Sequence, residues 1–348
     1  MQVDYIIAGQ GIAGSLLAWQ LLQRGQRVLV YDAATQNAST ASGGLINPVT
    51  GKRIVKTWMY DELLASAMQL YTQLSTHFGK QFLTQKDILN FFATRDEEAL
   101  YNERMHQQPL LRHEDGHNWQ GYFHHHYGIG KISPCYVLDV QGLLAALRDS
   151  FAKDGMLVQE HIDWAVVEMR GEQVSYKDVV AKKIICCEGA ATMNNPYFSL
   201  LPLSLNKGEV MIADIPGLPQ SHIYYQGIKI LPLSNGRFWV GSSFDWKYEH
   251  LQPTEAFRHK VEAQLDYWLK LPYTITAHYA DVRPSVVDHR LLCGIHPRYQ
   301  QLAILNGLGT KGCSLSPYFS AQLAEYLVNG APILPDADIN RFRRILSR

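Results

Sequence analysis

Three glycines near the start of the chain have the spacing that a bound dinucleotide requires. Gly9, Gly11 and Gly14 form a G-x-G-x-x-G pattern that follows a short apolar run and precedes a helical pattern. In such a loop the first glycine permits a tight turn, the second lets the backbone approach a pyrophosphate, and the third lets the helix pack closely on the strand. The backbone N–H groups at the start of the helix then face the phosphates. This spacing predicts a site for the ADP part of a dinucleotide.

An acidic residue stands where the ribose of that nucleotide is expected. Asp32 lies eighteen positions after Gly14, at the end of a second apolar run, where a carboxylate accepts hydrogen bonds from the adenosine ribose hydroxyls. An arginine there would suit a 2′-phosphate, so the acid argues against one. The cofactor-binding residues predicted from this segment are Gly9, Gly11, Ile12, Ala13, Gly14, Asp32 and Ala33.

These residues are positioned by a predicted β-α-β unit. A strand pattern covers residues 3–8, apolar residues at helical spacing follow the glycines until Gly25, and a second strand pattern covers residues 28–30. Alternating segments between residues 208 and 243 are typical of an antiparallel sheet. The sequence therefore predicts an α/β fold whose nucleotide-binding domain is discontinuous. Further helices are predicted over residues 60–78, 96–107, 140–154 and 314–329, and further strands over residues 155–191 and 302–308.

Length and charge narrow the class of protein. The chain of 348 residues is long enough for two domains, and its 32 Lys and Arg residues equal its 32 Asp and Glu residues in number. Because there is no basic excess, nothing indicates a nucleic-acid partner or a membrane surface. No run of about 18 apolar residues predicts a transmembrane span, and no export signal is visible, so a cytoplasmic protein is expected.

The cysteines and histidines do not form a recognisable metal-binding pattern. The five cysteines have neither CxxC spacing nor a disulfide framework, so reduced thiols are expected. His124, His125 and His126 are consecutive, so neighbours in a strand would point to opposite faces, and His113 and His117 have no cysteine partners near them. No metal site is predicted.

Several segments follow one another in a distinctive order along the chain: IIAGQGIAGSLLAWQLLQRGQRVLVYDA, STASGGLINP, GMLVQEHIDWAVVE, IICCEGAA, LPLSLNKGEV, LPLSNGRFWVGSS, ADVRPSVVDHRLLCGIHP and LAILNGLGTKGCSLSP. Taken in this order, they resemble the D-amino-acid-oxidase-like family of FAD-dependent oxidoreductases, with similarity to glycine oxidase, monomeric sarcosine oxidase and the carboxy-terminal domain of MnmC. The resemblance implies a flavoprotein with a Rossmann-like FAD domain and a second α+β substrate domain on a mixed, largely antiparallel sheet. The implied domains are residues 1–82, 139–203 and 282–348 for FAD, and residues 83–138 and 204–281 for the substrate.

The same resemblance implies which further residues surround the cofactor. The small-residue loop from Ser42 brings backbone N–H groups to the pyrophosphate and the flavin edge, and Trp164 contacts the adenine through its main chain. The glycines before the last helix place a helix start, with its partial positive charge, where a reduced flavin is negative. The implied residues are Ser42, Gly43, Gly44, Trp164, Gly189, Gly307, Gly309, Thr310, Lys311 and Gly312.

In the substrate site the resemblance is partial. Arg283, in DVRPSVVDHR, matches the arginine that holds the substrate carboxylate in glycine oxidase, and a planar guanidinium suits a bidentate carboxylate. Lys229 replaces a pocket tyrosine of glycine oxidase, and Thr310, with Lys311 beside it, replaces a second arginine. The implied substrate site is therefore cationic.

Two further positions are compared with sarcosine oxidase. Arg53 and Lys56 stand at the positions of two functional arginines, and they add to the cationic set. Asp281 stands at the position of the cysteine that tethers the flavin covalently, so non-covalent FAD is expected. The expected substrate is an acidic amino acid, or an amine attached to a larger anion.

Taken together, these features imply an enzyme that oxidises the C–N bond of a small amine or amino acid, D- or N-substituted, by hydride transfer to flavin N5. The choice between oxidase and dehydrogenase, and the electron acceptor, stay open. The open alternatives are FAD-dependent oxidation of a 2-hydroxy acid or polyol phosphate, MnmC-like oxidation of a modified tRNA base, a non-catalytic FAD-binding module, and an NAD-dependent dehydrogenase.

Overall fold

The computed structural model describes residues 1–34, 37–51 and 53–347, and it divides the chain into two compact units. Residues 41–82, which the resemblance assigned to the FAD domain, belong to unit 2. The assignment of one unit to FAD and the other to substrate stays a prediction. Unit 1 comprises Met1–Thr40, Val140–Asn206 and Val282–Arg348, and unit 2 comprises Ala41–Asp139 and Lys207–Asp281.

The strands of the described residues are short except for two. The two long strands are Leu203–Asp214 and Thr274–Val286, and each of them contains a boundary between the units. In chain order the strands are Tyr5–Ala8 (β1), Val28–Tyr31 (β2), Leu45–Ile46 (β3), Val49–Thr50 (β4), Val55–Lys56 (β5), Leu83–Gln85 (β6), Ile88–Phe91 (β7), Leu111–Glu114 (β8), Ile129–Ile132 (β9), Tyr136–Leu138 (β10), Leu157–Val158 (β11), Val167–Arg170 (β12), Gln173–Tyr176 (β13), Val179–Ala181 (β14), Lys183–Cys186 (β15), Leu203–Asp214 (β16), Ile223–Gln226 (β17), Ile228–Pro232 (β18), Phe238–Gly241 (β19), Thr274–Val286 (β20), Leu292–Ile295 (β21) and Leu302–Asn306 (β22).

The helices confirm the predicted helical patterns and add two, Glu255–Trp268 and Arg343–Leu346. Glu255–Trp268 was not predicted, although its buried residues recur at helical spacing and Thr254 caps it by accepting from the Phe257 N–H at 3.2 Å. The α-helices are Ile12–Leu22 (α1), Tyr60–Phe78 (α2), Arg95–Met105 (α3), Val140–Lys153 (α4), Glu255–Trp268 (α5), Gly312–Asn329 (α6) and Arg343–Leu346 (α7). Short 3-10 helices cover Gly116–Trp119, Trp164–Val166, Gly189–Asn194 and Ile339–Phe342.

Unit 1 is built on a six-stranded sheet in the order β11-β2-β1-β15-β22-β21. Its pairings are parallel except that β21 runs antiparallel to β22. The central strands are buried on both faces, as their continuous apolar sequences predict. The α1 helix contacts α4 and α6, and the three-stranded sheet β12-β13-β14 completes this unit. The predicted α/β fold with a Rossmann-like dinucleotide unit is confirmed.

Unit 2 contains a mixed, mainly antiparallel sheet. The eight-stranded order is β20-β16-β19-β18-β17-β7-β9-β8, and from β16 to β8 only the β17–β7 pair is parallel. Phe91, Phe123 and Trp268 pack together in its core, with ring centroids of Phe123 and Trp268 4.7 Å apart. Two smaller sheets, β3-β10-β6 and β4-β5, belong to the same unit. The part of the chain that the structure describes has no helix long and apolar enough to cross a membrane.

Candidate functional site

The loop between β1 and α1 has a backbone that only glycines allow. Gly9 has φ of 99°, a conformation that residues with a side chain rarely adopt. A Cβ atom at Gly14 would lie 1.9 Å from the carbonyl oxygen of Gly9, and one at Gly9 would lie 2.5 Å from the carbonyl oxygen of Cys187. The first and third glycines therefore let the loop, α1 and the end of β15 approach each other closely, as the fingerprint predicts.

The start of α1 presents backbone donors rather than a side-chain cap. Gly11 is the N-cap residue and has no side chain, and the Ile12 N–H donates to the Ser39 Oγ at 3.1 Å. The N-terminus of a helix carries partial positive charge, which stabilises an anionic group beside it. This end of α1 has the chemistry of a pyrophosphate site.

Asp32 lies directly after β2 and is held by three donors. The Gln10 N–H donates to Oδ2 at 2.9 Å, the Ala34 N–H donates to Oδ1 at 2.8 Å, and Arg148 Nη1 donates to Oδ1 at 2.9 Å. A carboxylate has about four acceptor positions, so Oδ2 keeps capacity for a ribose hydroxyl. The acid is therefore fixed in direction and can still accept from a ligand.

Arg148, on α4, was not predicted as part of this site. Its Nη1 also donates to Gln10 Oε1 at 2.6 Å, so one guanidinium holds both the loop and the acid. The signal was present in the sequence, because Arg148 follows the buried residues Leu144 and Leu147 on the apolar face of α4. A charged residue on such a face needs a partner, and here the partner is Asp32.

Glu188, which was not predicted, links Trp164 to Gly189: it accepts a hydrogen bond from Trp164 and directly precedes Gly189 in the chain. The Trp164 Nε1 donates to Glu188 Oε1 at 3.0 Å, and Asn195 Nδ2 donates to Glu188 Oε2 at 3.1 Å. Burial raises the pKa of Glu188 even though both donors act in the opposite direction. Gly189 follows with φ of 57°, and the end of β15 therefore carries an acid among neutral donors.

The loop before α6 is fastened to β20 immediately after Arg283. The Gly309 N–H donates to the Pro284 carbonyl at 2.9 Å, and a Cβ atom at Gly309 would lie 2.9 Å from the Ser285 Oγ. Gly307 has φ of 75°, and its Cβ would lie 2.5 Å from Val286 Cγ2. Glycine is required at both positions for the loop to lie this close to the strand.

The α6 helix begins at this loop without a side-chain cap. Lys311 is the N-cap residue, Gly312 is the first helical residue, and a Cβ atom at Gly312 would lie 3.2 Å from Ile12 Cγ2 of α1. Thr310 is exposed and Lys311 is half-buried. The loop thus places a positive helix end in unit 1, beside the strand that carries Arg283.

Arg283 has a fixed partner. It is half-buried on β20 between the buried residues Val282 and Pro284, and its Nη1 donates to Asn206 Oδ1 at 3.0 Å. Asn206, on β16, is completely buried and was not predicted. Because an arginine is always charged and can only donate, this arrangement presents a positioned cation in unit 1.

The loop from Ser42 and the candidate Lys229 belong to unit 2. Gly44 has φ of 73°, and a Cβ atom there would lie 1.9 Å from the Leu138 carbonyl oxygen. A Cβ atom at Gly43 would lie 3.0 Å from the ring of Trp239. Lys229 is half-buried on β18, with Nζ 4.9 Å from the ring centroid of Tyr225. The close approach at both glycines gives this loop a backbone that side chains would prevent.

Arg53 and Lys56 are exposed in unit 2. Lys56 Nζ lies 2.6 Å from Asp61 Oδ2, so a carboxylate already compensates its charge. Exposed charges of this kind are screened by solvent. Their role toward a substrate stays a prediction.

Unit 2 also contains a buried ionic network that was not predicted. Glu209 Oε2 accepts from the Thr254 N–H at 2.6 Å and lies 3.0 Å from His278 Nε2, and Glu209 Oε1 lies 3.1 Å from Lys207 Nζ. Burial would raise the pKa of Glu209, but the Thr254 and Lys207 donors outweigh it and lower that pKa. Burial lowers the pKa of His278 against the opposite pull of Glu209.

The histidine-rich segments are dispersed. His113 lies on β8, His117 pairs with Asp115 at 2.9 Å, and residues 124–126 lie in a loop. Within residues 1–34, 37–51 and 53–347, no group of three or more His, Cys, Asp or Glu side chains is placed to hold a metal ion. All five cysteines are buried, and none forms a disulfide within the part of the chain that the structure describes.

The parallel sheet, the glycine loop and the acid after β2 define an α/β protein of the dinucleotide-binding class. The profile of the family described as FAD dependent oxidoreductase (DAO) matches residues 4–326, and this chain belongs to that family. The cofactor of the family is FAD, so the opening glycines belong to a FAD-dependent oxidoreductase.

The chain is similar over most of its length to one long curated protein. It is 25% identical over 352 residues to the tRNA 5-methylaminomethyl-2-thiouridine biosynthesis bifunctional protein MnmC of Acinetobacter baylyi (strain ATCC 33305 / BD413 / ADP1). The match covers 95% of this chain and 54% of that protein, so the chain spans about half the length of this relative.

Two solved structures show the same fold. Glycine oxidase from Bacillus cereus ATCC 14579 has a TM-score of 0.81 at 18% identity, with 99% of each chain covered. Iminodiacetate oxidase from Chelativorans sp. BNC1 has a TM-score of 0.75 at 20% identity, covering 95% of this chain and 97% of that one. At these identities the likeness concerns the fold.

The residues of unit 1 fit the ADP part of FAD. The cradle at Gly9 and Gly14 has room only because no Cβ atom is present, and the start of α1 offers backbone donors. Asp32 is oriented and keeps acceptor capacity for a ribose hydroxyl. The chemistry of these groups matches a pyrophosphate joined to a ribose without a 2′-phosphate.

Proposed function

We propose that this chain oxidises the C–N bond of a small amine or amino acid that carries an anionic group. In this proposal unit 1 holds non-covalent FAD through the glycine loop, Asp32 and the helix starts. FAD supplies the acceptor for the hydride that leaves the carbon next to nitrogen. The nitrogen gives up a proton, and water converts the resulting imine to a carbonyl compound and an amine.

The observation that carries this proposal is the position of Arg283. Its guanidinium is held by Asn206 at 3.0 Å, and the strand that carries it is bonded at Pro284 to the loop before α6. A fixed guanidinium binds a carboxylate in one orientation, which fixes the C–H bond of the adjacent carbon. Most of the catalysis is then positioning, and no side-chain base is required.

The names of the fold neighbours agree with a substrate that contains both nitrogen and an acid. They include glycine oxidase and iminodiacetate oxidase. Lys311 is a half-buried cation of the same unit as Arg283, and it supports a substrate with more negative charge than glycine.

The experiment is anaerobic reduction of the purified flavoprotein by a panel of compounds. The panel contains acidic and neutral amino acids of both configurations, their N-methyl derivatives, the matching 2-hydroxy acids, a polyol phosphate and the decarboxylated amines. We expect loss of the flavin absorbance with a carboxylated amine and none with its decarboxylated partner. Bleaching by a hydroxy acid alone would establish the alcohol-oxidising alternative, and absence of bleaching across the panel would support a non-catalytic FAD-binding module.

A second candidate function is oxidation of an amine attached to a modified tRNA base. The similarity to MnmC over 95% of this chain favours it, whereas the equal numbers of basic and acidic residues favour a small substrate. Under the same anaerobic conditions, bleaching by tRNA that carries a carboxymethylaminomethyl group, but not by the free amino acids, would select this second candidate.

A further inference from the structure

Unit 1 contains a cavity of about 650 Å³ at the end of the parallel sheet opposite to the glycine loop. Its lining includes Tyr5, the first residue of β1, and Lys183, the first residue of β15, whereas Gly9 directly follows the last residue of β1. Because a strand rises about 3.3 Å per residue, the length of β1, about 10 Å, separates the cavity from that loop. The cavity is therefore distinct from the nucleotide loop, and its volume is typical of small-molecule sites.

Lys183 brings a positive charge with incomplete compensation to this cavity. It is half-buried, and its Nζ donates to the carbonyl oxygen of Gln300. An ammonium has three donors, so it can also donate to a ligand. Burial lowers the pKa of Lys183 against the opposite influence of Glu172. A cation that loses hydration in this way is stabilised by an anion beside it.

Arg298 adds a second cation from the loop between β21 and β22. It lines the same cavity, and its Cζ lies 5.3 Å from the ring centroid of Tyr299. In the part of the chain that the structure describes, neither Lys183 nor Arg298 forms an ion pair with a carboxylate. The two cations come from different elements and can both donate to one anion that enters the cavity.

The charges around the cavity favour an anion with about two negative charges. Lys182 also lines the cavity, and it shares Asp4 with Arg27, at 3.1 Å and 3.3 Å. With the two cations above, four positive charges stand against Asp4 and the exposed Glu172, which leaves an excess of two in a chain of zero net charge. A phosphate monoester carries about −1.5 to −2 at pH 7, whereas a carboxylate carries a single negative charge.

We propose that this cavity binds a small phosphorylated molecule, with Lys183 and Arg298 donating to its phosphate group. The apolar side chains of Leu327 and Val328 also line the cavity and can contact the carbon skeleton of the ligand. The volume exceeds what a bare phosphate ion fills, which favours a larger molecule that carries the phosphate. This inference does not depend on the proposed function, because none of these residues belongs to the predicted FAD or substrate site.

The first measurement is calorimetric titration of the FAD-loaded protein with ribose-5-phosphate, with ribose as the uncharged comparison. Loading with FAD keeps the nucleotide loop from binding the probe. We expect ribose-5-phosphate to bind, with an affinity that falls as salt is added, and ribose not to bind. Absence of ribose-5-phosphate binding would overturn the inference and would mean that the cations only balance the negative C-terminal end of α6.

Variants of the lining residues test where the phosphate binds. Lys183→Met and Arg298→Met should each lower the affinity for ribose-5-phosphate about tenfold or more, because each removes a charge-assisted hydrogen bond. Glu172→Gln should raise the affinity, because a like charge is removed. The control is Lys260→Met, at an exposed lysine on α5 in unit 2, which should leave the affinity unchanged. Because Arg298 is exposed, its variant decides the outcome if Lys183→Met does not fold.

Arg283→Ala separates this cavity from the proposed substrate site. The affinity for ribose-5-phosphate should be unchanged in that variant. A loss confined to Arg283→Ala would place the phosphate at the substrate anchor, which overturns the inference and leaves the proposed function standing.

A crystal structure of the FAD-loaded protein with ribose-5-phosphate gives the direct test. We expect a phosphate oxygen within about 3 Å of Lys183 Nζ and a second contact with Arg298. A phosphate bound elsewhere, with the cavity filled by water, would contradict the inference. Binding of tRNA without binding of ribose-5-phosphate would assign the cations to RNA phosphates and would also overturn it.

Discussion

Arg148 donates from one nitrogen to both Asp32 Oδ1 and Gln10 Oε1, at 2.9 Å and 2.6 Å. The side chains of Arg148 and Asp32 are 22% and 14% exposed, so this ion pair is largely shielded from solvent. A residue of α4 thereby holds the acid that follows β2 and the loop that follows β1. The predicted ribose contact depends on a helix that begins more than a hundred positions later in the chain.

Replacing Arg148 should weaken FAD binding and lower stability. In Arg148→Met, Asp32 loses a charge-assisted hydrogen bond, which costs about 1.5–3 kcal/mol of unfolding free energy. Urea unfolding and titration of apoprotein with FAD would measure both effects. The control is Arg170→Met, which breaks an exposed pair with Glu168 that is worth about 0–1 kcal/mol. Equal effects of the two variants would mean that the Arg148 pair is no more than a surface contact.

Gly14→Ala should impair folding or FAD uptake. The added Cβ would lie 1.9 Å from the Gly9 carbonyl oxygen, so the loop and α1 must separate. Overpacking of this kind costs about 1–3 kcal/mol or more. Flavin content after purification and the denaturation midpoint would show the change. Gly121→Ala, where no atom lies within 4 Å of the added Cβ, should behave as the unmodified protein.

Arg283→Ala should lower kcat/KM because productive substrate binding is weakened. The expected loss corresponds to about 2–5 kcal/mol of binding free energy, the cost of losing one partner of a desolvated charge pair. Arg283→Lys should recover only part of this loss, because an ammonium lacks the planar fork. Steady-state kinetics on the substrate found in the panel would measure both. Arg258→Ala, which breaks an exposed pair with Glu262, is the control. Unchanged kinetics in Arg283→Ala with FAD still bound would exclude this residue from the site.

The flavin should be released by acid precipitation. The sequence resemblance implies that Asp281 replaces a tethering cysteine, and Cys293 and Cys313 are buried in unit 1. We expect the yellow colour in the supernatant and a colourless pellet, measured by absorbance. Colour that stays with the precipitated protein would show a covalent link.

Stability should decrease as the pH falls from neutral. Because burial lowers the pKa of His278 in the folded chain, protonation below its ordinary value of 6.5 favours the unfolded state. The pKa of Glu209 is lowered below 4.5 because Thr254 and Lys207 outweigh burial, so its contribution is present above that pH and is lost as the pH falls further. Urea midpoints between pH 7 and pH 3 would record the decline.

A variant isolates the part of this decline that belongs to Glu209. Glu209→Gln should be less stable than the unmodified protein at pH 7, and the two curves should converge at low pH, where the carboxylate is protonated. Glu262→Gln, at an exposed pair with Arg258, should leave the curve nearly unchanged. A constant difference between Glu209→Gln and the unmodified protein at every pH would contradict the assignment.

Local spacing in the chain was enough to predict the nucleotide-binding unit and the main helices. Each of these features depends on residues that lie close together in the sequence: the glycines at 9, 11 and 14, the acid at 32, and the helix Tyr60–Phe78. Steric demands on glycine and the periodicity of buried residues act between near neighbours, so they leave a readable pattern. The missed helix Glu255–Trp268 carried the same kind of pattern.

Only the tertiary structure showed which polar side chains, far apart in the sequence, form pairs. Arg148 reaches Asp32 across 116 positions, Arg283 reaches Asn206 across 77, and His278 reaches Glu209 from another strand. Each of these polar groups is partly or fully removed from water and must find a partner, but the partner is chosen by how strands and helices stack rather than by spacing along the chain. The pairings that orient the site therefore became visible only in three dimensions.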